Sequence, residues 1–298
     1  MCTEPLISVI ITTYKRQPEI LLRAVRSVLT QTHSHLELLI VNDCPEDRAL
    51  ANALQEALNC IQDARIRYIE HEKNGGACKA RNTGIAQSKG EFVAFLDDDD
   101  EWMERKLEKQ VALFTRESIG AVSCDYCTFK PTKSKHTPRL TRTGTSKSSL
   151  VQALLWRNCV GGCSEPLIRR SILEKLGGFD ETLPASQDYD MWMRIAQESD
   201  VEFIHEPLVI HFYGDDSITG NYNKKIKGFR IFQDKFSNLY RDNAEALNFR
   251  YANKISLAIA NQRYSDAIGF LKKALSVKPI SKYNIIEPLK GIIKLIKS

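Results

Sequence analysis

Residues 90–102 read GEFVAFLDDDDEW, a short apolar run delivered straight into four aspartates and a glutamate. The run has the length and side-chain character of a buried strand. Carboxylates packed side by side resist ionisation, so a stable fold keeps such a cluster only where something positive sits among it. A divalent cation is the first candidate for Asp97 and Asp99. Asp100 and Glu101 read differently, as the acidic start of a helix over EWMERKLEKQ (101–110), where negative charge complements the helix dipole.

Working outward, three more strand-like runs precede this one: ISVIITTY (7–14), LELLIVND (36–43) and IRYIEH (66–71). Between them, Leu21, Ala24, Val25, Val28 and Leu29 share one helical face, and Ala53, Leu54, Ala57, Leu58 and Ile61 share another. Alternating strands and helices predict an α/β fold with a mostly parallel central sheet. Beyond the acidic run, Leu107, Val111 and Phe114 form a further stripe, and EPLIRRSILEKL (165–176) reads as a helix closed by Gly177 and Gly178.

From Tyr222 onward the pattern is helical. Residues 251–279 resemble one tetratricopeptide-like hairpin, and a single unit cannot build a solenoid, so it is expected as an appendage. The predicted division is a catalytic domain over 1–220 and a helical extension over 221–298.

The 298 residues, 43% hydrophobic, suffice for a proper core. A net charge of +5, from 42 basic and 37 acidic residues, does not mark a nucleic-acid binder. The N-terminus carries no signal-peptide pattern, and no stretch approaches the roughly 18 to 20 apolar residues of a membrane span. A cytoplasmic protein is expected, or one attached to a membrane from the cytosolic side. Cys124 and Cys127 form a C-x-x-C, but within a strand-like run their side chains point to opposite faces, so core cysteines are expected rather than a zinc site.

In an open parallel sheet, ligands bind beyond the carboxyl ends of the strands. Four successive strands deliver polar groups there: TTYKR (12–16), Asn42 with Asp43, the NGGACKARN run (74–82), and the aspartates at 97–100. Gly75 lets the backbone approach a ligand closely. Lys15, Arg16 and Arg81 are the basic groups at this edge, and Asp98 stands with them. Neither a P-loop nor a dinucleotide G-x-G-x-x-G occurs.

The combination of SVIITTYKR, LLIVND, NGGACKARNTGIAQSKGEFVAFLDDDDEW and GGFDETLPASQDYDMWMRIA resembles the family 2 inverting glycosyltransferases of the GT-A fold, across roughly residues 5–215. The resemblance implies a Rossmann-like α/β sheet and transfer of a sugar from a nucleotide diphosphate, a UDP-sugar by expectation, to an acceptor hydroxyl. It places Thr13 and Tyr14 in the nucleotide pocket, with Arg16, Gly75 and Asp98 beside them, and Asp43 on the base. Arg81 matches the A-R-N arginine, Asp97 faces the ribose, and Asp99 holds Mn or Mg. Asp188 takes the catalytic-base position, although Gln187 stands where the family usually has Glu. His211 matches a late histidine that completes the metal shell or touches the diphosphate.

Two readings compete with transfer: a Mg-dependent phosphoryl or nucleotidyl transferase on the same aspartates, and a binding or scaffold protein using the helical tail. The resemblance favours bacterial surface polysaccharide synthesis, with a glycan or lipid-linked glycan as acceptor. KPTKSKHTPRLTRTGTSK (130–147) reads as a basic loop, solvated or acting as a lid. The lysine-flanked segment 279–298 reads equally as a helix docked on the protein or as one lying on an anionic membrane surface.

Overall fold

The computed structural model describes residues 4–129, 146–212 and 221–283. The loop 130–145, Asp215 with Asp216, and the segment from 284 onward lie outside the described residues. Two compact units are present: Met1–Leu150 with Val160–Thr182 and Gln187–Ser217, and Val151–Cys159 with Leu183–Ser186 and Ile218–Ser298.

The first unit is built on an eight-stranded sheet. Strands β1 (Ile7–Thr13), β2 (Leu36–Asn42), β3 (Ile66–Glu70) and β4 (Phe92–Asp97) lie parallel in the order β3-β2-β1-β4. Both faces of β1 and β2 are covered, which is why their sequences run apolar continuously instead of alternating. The register pairs Thr12 with Asp97 and Thr13 with Asn42, so the polar strand ends finish level at one edge. The sheet then continues through β7 (Leu167–Arg169), β6 (Ile119–Phe129), β8 (Asp200–Phe212) and β5 (Glu101–Trp102). β7 runs antiparallel to both β4 and β6.

Helices α1 (Pro18–Leu29), α2 (Arg48–Asn59) and α3 (Ala77–Gln87) cross between the parallel strands. Pro18 opens α1, where its missing N–H costs nothing, and Leu21, Ala24, Val25 and Val28 are buried on one face. The Asp47 carboxylate caps α2 by accepting from the Leu50 N–H at 3.0 Å. α3 rides close on β1: a Cβ at Gly84 would stand 2.5 Å from Ile10 Cγ2.

Two expectations are corrected here. Helix α4 begins at Lys106, not at Glu101, because Glu101 and Trp102 pair with Ile210 and Val209 of β8. Asp100 is therefore no helix-dipole group; it closes a turn, its N–H donating to the Asp97 carbonyl at 3.0 Å. The stretch after Glu165 is not helical from its start either. Pro166 turns its predecessor away from helical backbone, Leu167–Arg169 joins the sheet, and the helix, counted after α5 (Lys147–Trp156) as α6, runs from Arg170 to Leu176. It ends as expected, with Gly177 and Gly178 at φ +71 and +74.

The first unit also holds α7 (Gln187–Glu198). In the second, α8 (Tyr222–Lys235), α9 (Ala244–Ala260) and α10 (Tyr264–Val277) share a cluster of Ile226, Phe229, Tyr251, Ile255 and Phe270. Asn221 caps α8 by accepting from the Lys224 N–H at 3.0 Å. Among the described residues, no helix is long and apolar enough to cross a membrane.

Candidate active site

The carboxyl ends of β1, β2 and β4 meet as a network of charge-assisted hydrogen bonds. Asp43, following β2, is buried and accepts from three donors: Gly75 N–H at 2.8 Å, Gly76 N–H at 2.7 Å and His71 Nδ1 at 2.8 Å. Asn74 Nδ2 adds a bond to the Asp43 carbonyl at 2.8 Å. The glycine turn is thus clamped to the end of β2, and Gly76, at φ +84, holds a backbone geometry that suits glycine. Tyr14 projects into solvent just past β1.

Arg16 bridges the acidic run. Its Nε donates to Asp98 Oδ1 at 2.9 Å and its terminal nitrogen to Asp99 Oδ2 at 2.8 Å. Thr13 Oγ1 donates to the other Asp98 oxygen at 2.7 Å. Asp98 is buried, and burial raises its pKa against the pull of Arg16 and Thr13. Arg81, buried on α3, donates to Asp97 Oδ1 at 2.9 Å. Part of the positive charge that the acidic run demanded is therefore supplied by arginines of the chain itself.

Asp97 and Asp99 face solvent more than Asp98 and Asp100 do, with side-chain exposures of 39% and 40%. Each commits one oxygen to an arginine, and the second oxygen of each takes no bond from a described residue. Hard carboxylate oxygens in this state suit Mg or Mn, which bind through one or two carboxylates and complete their shell with phosphate and water. Among the described residues, no three His, Cys, Asp or Glu side chains form a ready-made metal cage.

His211 lies elsewhere in the network. Its Nδ1 faces Asp100 Oδ2 at 2.8 Å and its Nε2 faces Glu165 Oε1 at 3.0 Å. Burial opposes a charge on the imidazole, but the two carboxylates outweigh it and push the pKa up to about 12. Both ring nitrogens thus face carboxylate oxygens in this arrangement. Ser164 ties this cluster to the acidic turn: its Oγ donates to Asp100 at 2.6 Å and accepts from the Asp97 N–H at 3.1 Å.

Asp188 stands in the first turn of α7, partly exposed. Burial raises its pKa, the Tyr189 N–H and Arg81 lower it, and the charges of Glu165 and Asp97 raise it further. Asp190, by contrast, is fully buried and paired with Arg194 Nε at 2.8 Å, and Arg194 continues to the carbonyls of Leu176 and Gly178. Trp192 Nε1 donates to the Gly161 carbonyl at 3.0 Å and fixes α7 against the 161–165 stretch.

Sequence reasoning missed Glu165 and Ser164. The signal was available in CVGGCSEP (159–166): two adjacent glycines shortly before a serine and a glutamate. A Cβ at Gly161 would stand 2.9 Å from Glu165 Cδ, so the glycine makes room for that carboxylate.

Over its whole described length the fold is like that of solved glycosyltransferases. The TarS 1-349 fragment from S. aureus, in complex with UDP-GlcNAc, superposes with a TM-score of 0.69 at 16% identity, covering 98% of this chain and 90% of that one. The mannosyltransferase PcManGT from Pyrobaculum calidifontis, in complex with GDP-Man and Mn2+, gives 0.56 at 17%, covering 99% and 88%. In sequence, the putative colanic acid biosynthesis glycosyl transferase WcaA of Escherichia coli K12 is 30% identical over 244 residues, 79% of this chain and 84% of its own. The Escherichia coli protein named UDP-Glc:alpha-D-GlcNAc-diphosphoundecaprenol beta-1,3-glucosyltransferase WfgD is 27% identical, covering 74% and 83%. With the model of glycosyl transferase family 2 matching residues 8–177, the chain belongs to that family and is a glycosyltransferase.

Proposed function

We propose that the enzyme moves a sugar from a UDP-type donor to an acceptor hydroxyl with inversion at the anomeric carbon. Asp188 accepts the hydroxyl proton as the oxygen attacks, and the nucleoside diphosphate departs on the opposite face. A carboxyl whose pKa is raised by burial is a better base than an ordinary aspartate. Asp43, Thr13, Tyr14, Gly75 and Asp97 hold the nucleoside, while Arg16, Arg81 and Asp98 fix the acidic turn around the diphosphate. A divalent cation, Mn or Mg, supplies charge neutralisation for the leaving diphosphate when bound, with Asp99 as its protein ligand. His211 joins that shell only on releasing Asp100 or Glu165; in the arrangement described it braces the turn.

The observation that carries this reading is the acidic turn at the end of β4, where Arg81 holds one oxygen of Asp97 at 2.9 Å and Arg16 one oxygen of Asp99 at 2.8 Å. The donor class draws support from the UDP-GlcNAc complex of TarS, and the metal from the Mn2+ complex of PcManGT. The names of WcaA and WfgD favour assembly of a bacterial polysaccharide on a lipid-linked glycan, which would set the enzyme to work on the cytoplasmic side of the inner membrane. Asp188→Asn tests the mechanism: sugar transfer falls by at least about a thousandfold while UDP affinity stays within about threefold. Retained transfer removes Asp188 as the base. Thermal stabilisation by a panel of UDP- and GDP-sugars with Mn2+ tests the donor, a larger shift with GDP-sugars overturning the UDP assignment.

A further inference from the structure

Helix α10 carries two apolar faces. Ala267, Phe270 and Ala274 are buried in the cluster shared with α8 and α9. On the other side, Tyr264, Ile268 and Leu275 follow at spacings of four and seven residues, along one line of the helix. They are 56%, 55% and 42% exposed, and Ile280, just beyond the helix, is 90% exposed. Single exposed apolar side chains are ordinary, but three in line along one helix, with Ile280 just beyond its end, form a patch that marks a contact surface.

The charge around this line is mostly positive. From Tyr264 to Tyr283 the chain holds four lysines and one acidic residue, Asp266, which accepts from the Tyr222 hydroxyl at 2.8 Å. Lys272, Lys273 and Lys282 are exposed, while Lys278 pairs with Glu245 at 2.7 Å. The sequence beyond stays basic, with Lys290, Lys294 and Lys297 against Glu287.

We propose that this face of α10 docks the enzyme on an anionic lipid surface. The aliphatic side chains and the Tyr264 ring enter the interfacial layer, and the lysines bury their stems while their ammonium groups meet acidic headgroups. Charge decides among the occupants. A second copy seated on the same face sets Lys272 and Lys273 against their own counterparts, and residues 284–298 bring three further lysines to an already basic strip. Of these three occupants, an acidic bilayer surface is the one complementary in both charge and polarity. The proposal does not rest on the catalytic reading, because transfer to an acceptor in free solution makes no use of α10.

The test is co-sedimentation of the full chain with phosphatidylcholine vesicles, with and without phosphatidylglycerol. Binding is expected only where phosphatidylglycerol is present, weakening as salt rises. Ile268→Glu and Leu275→Glu each lower vesicle affinity by about tenfold or more, as withdrawal of one such side chain from apolar surroundings requires. Their urea midpoints and UDP affinities stay at the parent value, so a failure here is distinct from a failure of the donor site. Equal binding to both vesicle types, or none to either, overturns the proposal. So does a dimer in sedimentation that Ile268→Glu abolishes, or a photo-crosslinker at position 268 that captures residues 284–298 instead of lipid.

Discussion

Glu165 and His211, 46 residues apart in the chain, meet through Oε1 and Nε2 at 3.0 Å, with the glutamate fully buried. On its other side the imidazole holds Asp100, so one cation lies between two carboxylates that come from separate loops. Removing one member of such a buried set strands the charge of another. Glu165→Gln keeps the shape and loses the charge, and lowers unfolding free energy by about 1–3 kcal/mol. Glu165→Ala costs about 3–5 kcal/mol. Urea denaturation reads both, and a double variant with His211→Gln falls short of the sum of its singles if the pair is coupled as described.

Asp43 spends its carboxylate on the glycine turn, since both oxygens accept backbone N–H groups. Asp43→Asn replaces one acceptor oxygen with a donor that faces another donor. UDP affinity falls by about 10- to 100-fold, measured by calorimetry, because the turn no longer holds its shape beside the nucleoside. An unchanged affinity separates the turn from the nucleotide site.

Lys106 is buried on α4, its Nζ donating to Gln110 Oε1 at 2.8 Å and lying 4.0 Å from the Trp102 ring centre. Burial, opposed by the charges of Cys124 and Glu165, lowers its pKa to about 8. The unfolded chain, with a lysine pKa of about 10.4, holds more protons than the folded one between these values. Stability therefore rises with pH through that window; the contribution is complete above about 10.4 and is lost as pH falls through about 8. Lys106→Met removes the penalty and gains about 1–2 kcal/mol at pH 7, after allowing for the unpartnered Gln110 oxygen. That gain shrinks toward pH 10, as urea titrations at several pH values will register.

Gly84 is where α3 touches β1. A methyl there collides with Ile10, so Gly84→Ala costs about 1–3 kcal/mol despite its better helix propensity. The same lift moves Arg81, one turn earlier, away from Asp97. Transfer activity drops more than UDP affinity does, while Gly84→Ala paired with Ile10→Val recovers part of both.

The strands and helices of the first hundred residues were legible because burial on both faces writes itself as continuous apolar runs, as in β1 and β2. The level finish of Thr13, Asp43 and Asp97 was legible too, since parallel strands of similar length end together. What was hidden depends on contacts across distance. Asp100 looks like any acidic residue before a helix until His211, from β8, arrives beside it. Glu101 and Trp102 looked helical because a two-residue strand has no period to detect. Leu167–Arg169 gave no strand signal of its own; its place is dictated by β4 and β6. Asp190, two residues after Asp188, could not be assigned from sequence, and the Arg194 partner marks it as structural.

Ser164 fastens the acidic turn at both ends, through the Asp97 amide and the Asp100 carboxylate. The shape of this turn is thus fixed by the chain's own hydrogen bonds, and its ordering entropy is settled during folding. A donor that binds there as proposed would be captured at the pace of diffusion and charge steering, with little rearrangement of the turn to slow it.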